Sequence, residues 1–167
     1  MKKELDEQLC AKYPKIFKDR HGDMRETLMC WGFECGDGWF NIINQLCANI
    51  QHHIDWCERQ RDLEVKKGIE GESGMPRTPH VQQVVAVQVK EKFGTLRFYT
   101  NGGDDTIDGM IRMAESMSAV TCEECGAPGQ LRGRGWLYTA CDTHTKEHDK
   151  IDETERQREM KSSGLEE

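Results

Sequence analysis

Four residues near the C-terminal end carry the sharpest chemistry in this chain. Cys122-Glu-Glu-Cys125 is followed, after fifteen intervening residues, by Cys141-Asp-Thr-His144. Two close pairs of soft ligands, each on a tight turn and joined by a glycine-rich connection, are what a tetrahedral Zn²⁺ requires, and the spacing is that of a zinc ribbon. A Cys3His shell leaves zinc no open position for a substrate, so the motif speaks to folding rather than to turnover. His148, four residues beyond His144, is read either as an exchangeable or fifth ligand or as an exposed tail histidine. Cys30, Cys35 and His52 or His53 are weighed as a second metal site, but adjacent helical histidines point about 100° apart. Buried thiols beside surface histidines fit that pattern better.

A second group of residues could carry binding. Lys90, Lys92, Arg97, Arg132 and Arg134, with Tyr99 and Trp136 among them, place positive charge and aromatic rings on a predicted hairpin and on the ribbon tip. Guanidinium forks take phosphate in pairs and aromatics stack on bases, so these seven residues are candidates for a small nucleotide, a single strand or an acidic protein surface. A solvated strand face with ordinary charges explains them equally. Trp31, Phe33, Trp39 and Phe40 are read as a ligand pocket or interface, or as packing over a helix start. Asp37, His80, Asp104 and Asp105 are the titratable candidates for catalysis, and nothing in their spacing singles one out. No P-loop, GxSxG or HExxH is present.

The elements that position these groups follow from periodicity. Residues 2 to 13 read as a short amphipathic helix with Leu5, Leu9 and Cys10 on one stripe, stopped at Pro14, with Ile16 and Phe17 pinning its exit to the core. Phe40, Ile43, Cys47, Ile50, Ile54 and Cys57 recur at steps of three and four, a stripe widened by Leu46 and Trp56. They predict a helix from about 38 to 67 with Asp37 as its cap. Residues 68 to 79 hold three glycines and two prolines and predict an exposed, mobile loop. Val81 to Tyr99 alternates as a β-hairpin with its turn at Lys90 to Gly94 and one face on the long helix. A second helix follows, capped by Asp105, with Ile107, Met110, Ile111, Ala114 and Met117 as its stripe. Trp136 is expected to anchor the ribbon hairpin, and the tail is too polar to bury much.

Together these predict an α+β fold, an antiparallel hairpin or small sheet on two helices, followed by a zinc ribbon and a polar tail. The expected division is 1–119 core, 120–145 ribbon and 146–167 tail. Net charge is −7, and residues 142 to 167 contribute −4 of it through nine acids against five bases. A duplex-wrapping protein usually carries a basic excess, so duplex nucleic acid is disfavoured as a partner. Met1 is followed by Lys-Lys-Glu-Leu-Asp-Glu with no apolar signal region, so a cytoplasmic location is expected, with Cys10, Cys30, Cys35, Cys47 and Cys57 as free thiols. No apolar run reaches the roughly 20 residues of a membrane span. Self-association stays open.

The segments Gly32 to Phe40, Val89 to Tyr99 and Cys122 to His144 resemble those of small proteins encoded in phage and prophage genomes. The likeness covers about two thirds of the chain. It implies a bacterial cytoplasm and an accessory role against host defence, by inhibiting a host protein or sequestering a small nucleotide signal. It implies no particular activity, and a nucleic-acid-associated ribbon factor and a hydrolase or nuclease stand as the alternatives.

Overall fold

The computed structural model describes residues 1–71, 73–147 and 149. Its core is α+β, with helices α1 (Lys3–Lys12), α2 (Phe40–Lys67) and α3 (Asp105–Ser118). Strands β1 (Phe33–Glu34), β2 (Gln82–Lys92) and β3 (Thr95–Gly103) form one mixed sheet in the order β1-β2-β3. A separate ladder joins β4 (Gln130–Arg132) to β5 (Tyr138–Ala140). His148 and the segment from 150 onward lie outside the described residues, and most of the 146–167 tail falls on them.

Strands β2 and β3 are antiparallel, with Val89 opposite Phe98 and Lys90 opposite Arg97. Both strands run further than the alternation suggests, leaving only Phe93-Gly94 as the turn. β1 adds a short parallel pairing, Phe33 opposite Val89, that nothing local announces. α3 lies along β3 and α2 packs on α3 and β2, so the sheet rests on both helices, as the periodicity predicts. The Leu96 amide donates to Ser118 Oγ at 2.8 Å and the Phe98 amide to Glu115 Oε1 at 3.2 Å. Side chains of α3 thus cover donors that an edge strand would otherwise expose.

The stripe of α2 is buried at Ile43, Leu46, Cys47, Ile50, Ile54 and Cys57. Ile16 and Phe17 are buried as expected, and the Phe17 ring packs edge-on against Phe33 and Phe98, with centroids 5.0 and 6.3 Å apart. Trp56, at 45% exposure, stands off the stripe. Asp37 does not cap α2. Its carboxylate accepts from the Lys2 amide at 2.7 Å and pairs with the Lys2 ammonium, tying down the N-terminus, while the chain enters α2 through a 3-10 turn over Asp37–Trp39. The cap of α3 is Asp104 rather than Asp105: its Oδ1 accepts from the Ile107 amide at 3.0 Å. Met117, expected on the buried stripe of α3, is half exposed at its end. The loop after α2 is tied back by Glu64, which accepts from the Thr78 amide and hydroxyl, both at 2.9 Å.

Candidate metal centre

Each ligand pair is shaped by its own backbone. The first knuckle closes when the Gly126 amide donates to the Cys122 carbonyl at 2.9 Å and the Cys122 amide to the Ala127 carbonyl at 2.8 Å. The second is a 3-10 turn, Asp142–His144, in which the His144 amide reaches the Cys141 carbonyl at 3.1 Å. The β4–β5 ladder brings the turns face to face, and all four ligand atoms lie within 4.8 Å of one another.

The separations fit a metal. Zn–S bonds of about 2.3 Å and Zn–N bonds of about 2.0–2.1 Å place tetrahedral ligands ~3.8 Å apart for sulfur pairs and ~3.6 Å for sulfur and nitrogen. Cys125 and Cys141 sulfurs are 3.8 Å apart, and Cys122 Sγ is 3.6 Å from His144 Nδ1. Cys141 Sγ approaches the same nitrogen to 3.2 Å, so Nδ1 is the imidazole atom presented to an ion. Burial pushes the Cys122 thiol up, but backbone amides of Cys141, Cys125 and Glu124 turned on its sulfur outweigh that and bring it below its ordinary value. At Cys141 desolvation is likewise overcome, chiefly by hydrogen bonding to His144, and the thiol is lowered to about 6. His144 is raised by the same two sulfurs. At Cys125 the Ala127 amide lowers the thiol, but desolvation and hydrogen bonding with Cys122 and Cys141 outweigh it and raise the thiol above its ordinary value.

The ribbon is built into the core. Gly38 donates its amide to the Glu123 carbonyl at 2.7 Å, Gly36 donates to Glu123 Oε1 at 2.9 Å, and Trp39 Nε1 donates to the Thr121 carbonyl at 2.8 Å. A Cβ on Gly38 would overlap the Cys122 carbonyl oxygen and the Gly126 amide nitrogen, so that position tolerates glycine alone. On the far side Thr139 Oγ1 donates to the Gly94 carbonyl at 2.5 Å, and a Cβ on Gly94 would overlap Leu131. The Gly-rich segment before α2 is therefore a docking loop for the first knuckle, a role that sequence reasoning missed. Glycines flanking an acidic residue ahead of a tryptophan were the available signal.

The binding candidates separate. Arg132 is not at an exposed tip: it is buried, donating to the Ala140 carbonyl at 3.0 Å and pairing with Asp142. It ends β4 opposite Tyr138, and its guanidinium is turned inward onto β5. Trp136, expected as an anchor, is 75% exposed, and Tyr138 and Ala140 fill the ribbon interior instead. Arg134 is exposed. Lys90, Lys92, Arg97 and Tyr99 share the hairpin face that points away from the helices, with the Lys90 ammonium 5.8 Å from the Tyr99 ring centroid. Arg97 is turned back on Thr95 Oγ1 and the Leu96 carbonyl. Lys90 and Tyr99 line a cleft of about 430 Å³ with Met24 and Leu28.

Cys30 donates its thiol to the Thr27 carbonyl, Cys35 is buried, and among the described residues Cys122, Cys125, Cys141 and His144 form the one metal-ligand cluster. No disulfide links any of the eight cysteines. His80 lines a separate cleft of about 430 Å³ with Lys15 and Arg61. Asp104 meets His53 Nε2 at 2.8 Å, and Cys57 Sγ lies 3.9 Å from that same nitrogen. A nucleophile relay divides its contacts between the two imidazole nitrogens, which this cluster does not. Among the described residues no helix is long and apolar enough to cross a membrane. Comparison with protein-family models, curated proteins and solved structures finds no match to this chain.

Proposed function

We propose that this chain is a non-catalytic binding protein in which zinc, held by Cys122, Cys125, Cys141 and His144, locks a ribbon onto the α+β core so that the two together present a partner surface. The observation that carries this reading is the position of the ligand cluster, whose first knuckle is hydrogen-bonded to Gly36, Gly38 and Trp39 while β5 holds the hairpin turn at Gly94. Four protein ligands saturate zinc, and a saturated ion supports structure rather than substrate activation.

The proposed setting is a phage or prophage accessory acting on a host protein in a bacterial cytoplasm, and it rests on the resemblance of the three segments described above. A protein partner is favoured over a small nucleotide. Arg132 is engaged inside the ribbon, and the wall beside Trp136 carries Glu91, Glu123 and Glu124, whose charge opposes phosphate. Native mass spectrometry of gently purified protein tests the reading. One zinc per chain with no retained small molecule supports it; a folded chain without metal, or a stoichiometric nucleotide, overturns it.

A further inference from the structure

The turn between β2 and β3 contains a residue that its backbone does not suit. Phe93 and Gly94 both have positive φ, 55° and 80°, the pattern of a two-residue turn that favours Asn-Gly. Gly94 is required by its contact with Leu131. Phe93 suits the turn poorly: its Cβ is strained at that φ, and the residue is 67% exposed, so burial returns little. Among the described residues it is the one non-glycine residue at positive φ. Strain held at an exposed aromatic points away from folding and toward a use.

The next residue, Gly94, touches Leu131, which is 52% exposed, and donates its amide to Glu91 Oε1 at 2.5 Å. Glu91 in turn lines one cleft with Trp136, which is 75% exposed. Single exposed hydrophobics are ordinary on a monomer, but large ones gathered where two elements join mark an interface, and aromatics dominate interface energetics. Trp136 also lines a cleft of about 360 Å³ whose wall includes Glu34, Glu91, Glu123 and Glu124. Among the described residues of the cleft the one lysine, Lys146, is turned onto the Tyr138 ring at 4.3 Å. Lys92 lies over the Phe93 ring at 5.3 Å, outside the carboxylate wall.

We propose that the hairpin tip and ribbon form a docking surface for a protein partner that inserts a basic side chain flanked by apolar residues. The cationic head enters the carboxylate-lined cleft beside the Trp136 ring, and the apolar neighbours cover Phe93 and Leu131. Arginine suits the cleft better than lysine, because a planar guanidinium both stacks on indole and bridges carboxylates. The proposal rests on the binding-protein reading and specifies the chemistry of the partner.

The test is selection from a displayed library of random dodecapeptides on the zinc-loaded full chain, followed by anisotropy measurements with the enriched peptides. The expected consensus places Arg or Lys beside aliphatic or aromatic residues, with affinity falling at least tenfold for Trp136→Ala and several-fold for Glu124→Gln. Phe93→Asn is the decisive variant: it should raise Tm by a few degrees by relieving the turn, while weakening the peptides at least tenfold. A residue kept for structure alone cannot lose binding and gain stability together. No enrichment, an acidic or uncharged consensus, or affinities indifferent to Phe93→Asn and Trp136→Ala would overturn the proposal. Zinc content is read on the same samples: lost binding with full zinc concerns this surface alone, whereas a wild-type chain lacking zinc strikes at the metal reading beneath it.

Discussion

Removing one zinc ligand should loosen the core as well as the ribbon, and Cys125→Ser is the cleanest perturbation. Cys125 is the one exposed cysteine among the ligands, so its loss acts through the metal rather than through packing. Structural zinc contributes ~10–16 kcal/mol to the folding of zinc-finger peptides, enough to decide whether the knuckles form. The effect on the core is set by the contacts that go with them. These are the hydrogen bonds from Gly36 and Gly38 to Glu123, from Trp39 to Thr121 and from Thr139 to Gly94. At about 0.5–1.5 kcal/mol each, four such bonds sum to roughly 2–6 kcal/mol. At ~2–4 °C per kcal/mol for a chain of this size, the midpoint of that range lowers Tm by roughly 8–16 °C.

The reporter is Trp39, fully buried, whereas Trp31, Trp56 and Trp136 are 61%, 45% and 75% exposed. In a background with those three changed to Phe, the variant should show a red-shifted Trp39 emission and no bound zinc by elemental analysis. Full zinc occupancy in Cys125→Ser would refute the ligand assignment. A zinc-free variant with unchanged Trp39 emission and Tm would refute the coupling, leaving the ribbon as an independent appendage.

Gly38→Ala forces a methyl against three backbone atoms that cannot swing aside, and should cost about 1–3 kcal/mol in denaturant unfolding; a midpoint within error of wild type would remove the docking-loop role. Asp6→Ala strands Arg20, whose guanidinium holds the Asp6 carboxylate at 2.8 and 2.9 Å in a mostly buried pair, and should cost about 3 kcal/mol, which equilibrium unfolding measures directly. Asp104→Ala removes the α3 cap and should cost ~1–2 kcal/mol at pH 7. Burial pushes the Asp104 carboxyl up, but the His53 hydrogen bond and the Ile107 amide outweigh it, leaving it below its ordinary value. The folded state then binds fewer protons than the unfolded one just below the ordinary carboxylate value of about 3.9. The stability is therefore present above that value and lost as pH falls through the lower folded one. The gap between wild type and variant should persist from pH 7 to 5 and shrink below pH 4, and a gap unchanged at pH 2.5 would contradict it.

The metal cluster was readable before folding, because ligand type and short spacing are local properties that determine which side chains can converge on one ion. The α2 stripe was readable for the same reason, as periodicity alone selects the buried face. Asp104 and Asp105 show where local chemistry stops: either carboxylate can cap, and only the conformation of the entering chain, with Asp104 extended, chooses between them. Charge on Arg132 suggested a surface, yet burial depends on which face β5 covers, and its partner Asp142 stands across the ribbon. The spacing of Cys122, Cys125, Cys141 and His144, the helical stripes and the alternating strands are written in neighbouring residues. The pairing of Phe33 with Val89, the seating of Gly38 under the Cys122 carbonyl and the contact of Leu131 with Gly94 depend on residues tens of positions apart. Steric exclusion and hydrogen bonding act through space, so those relations exist only once the chain is folded.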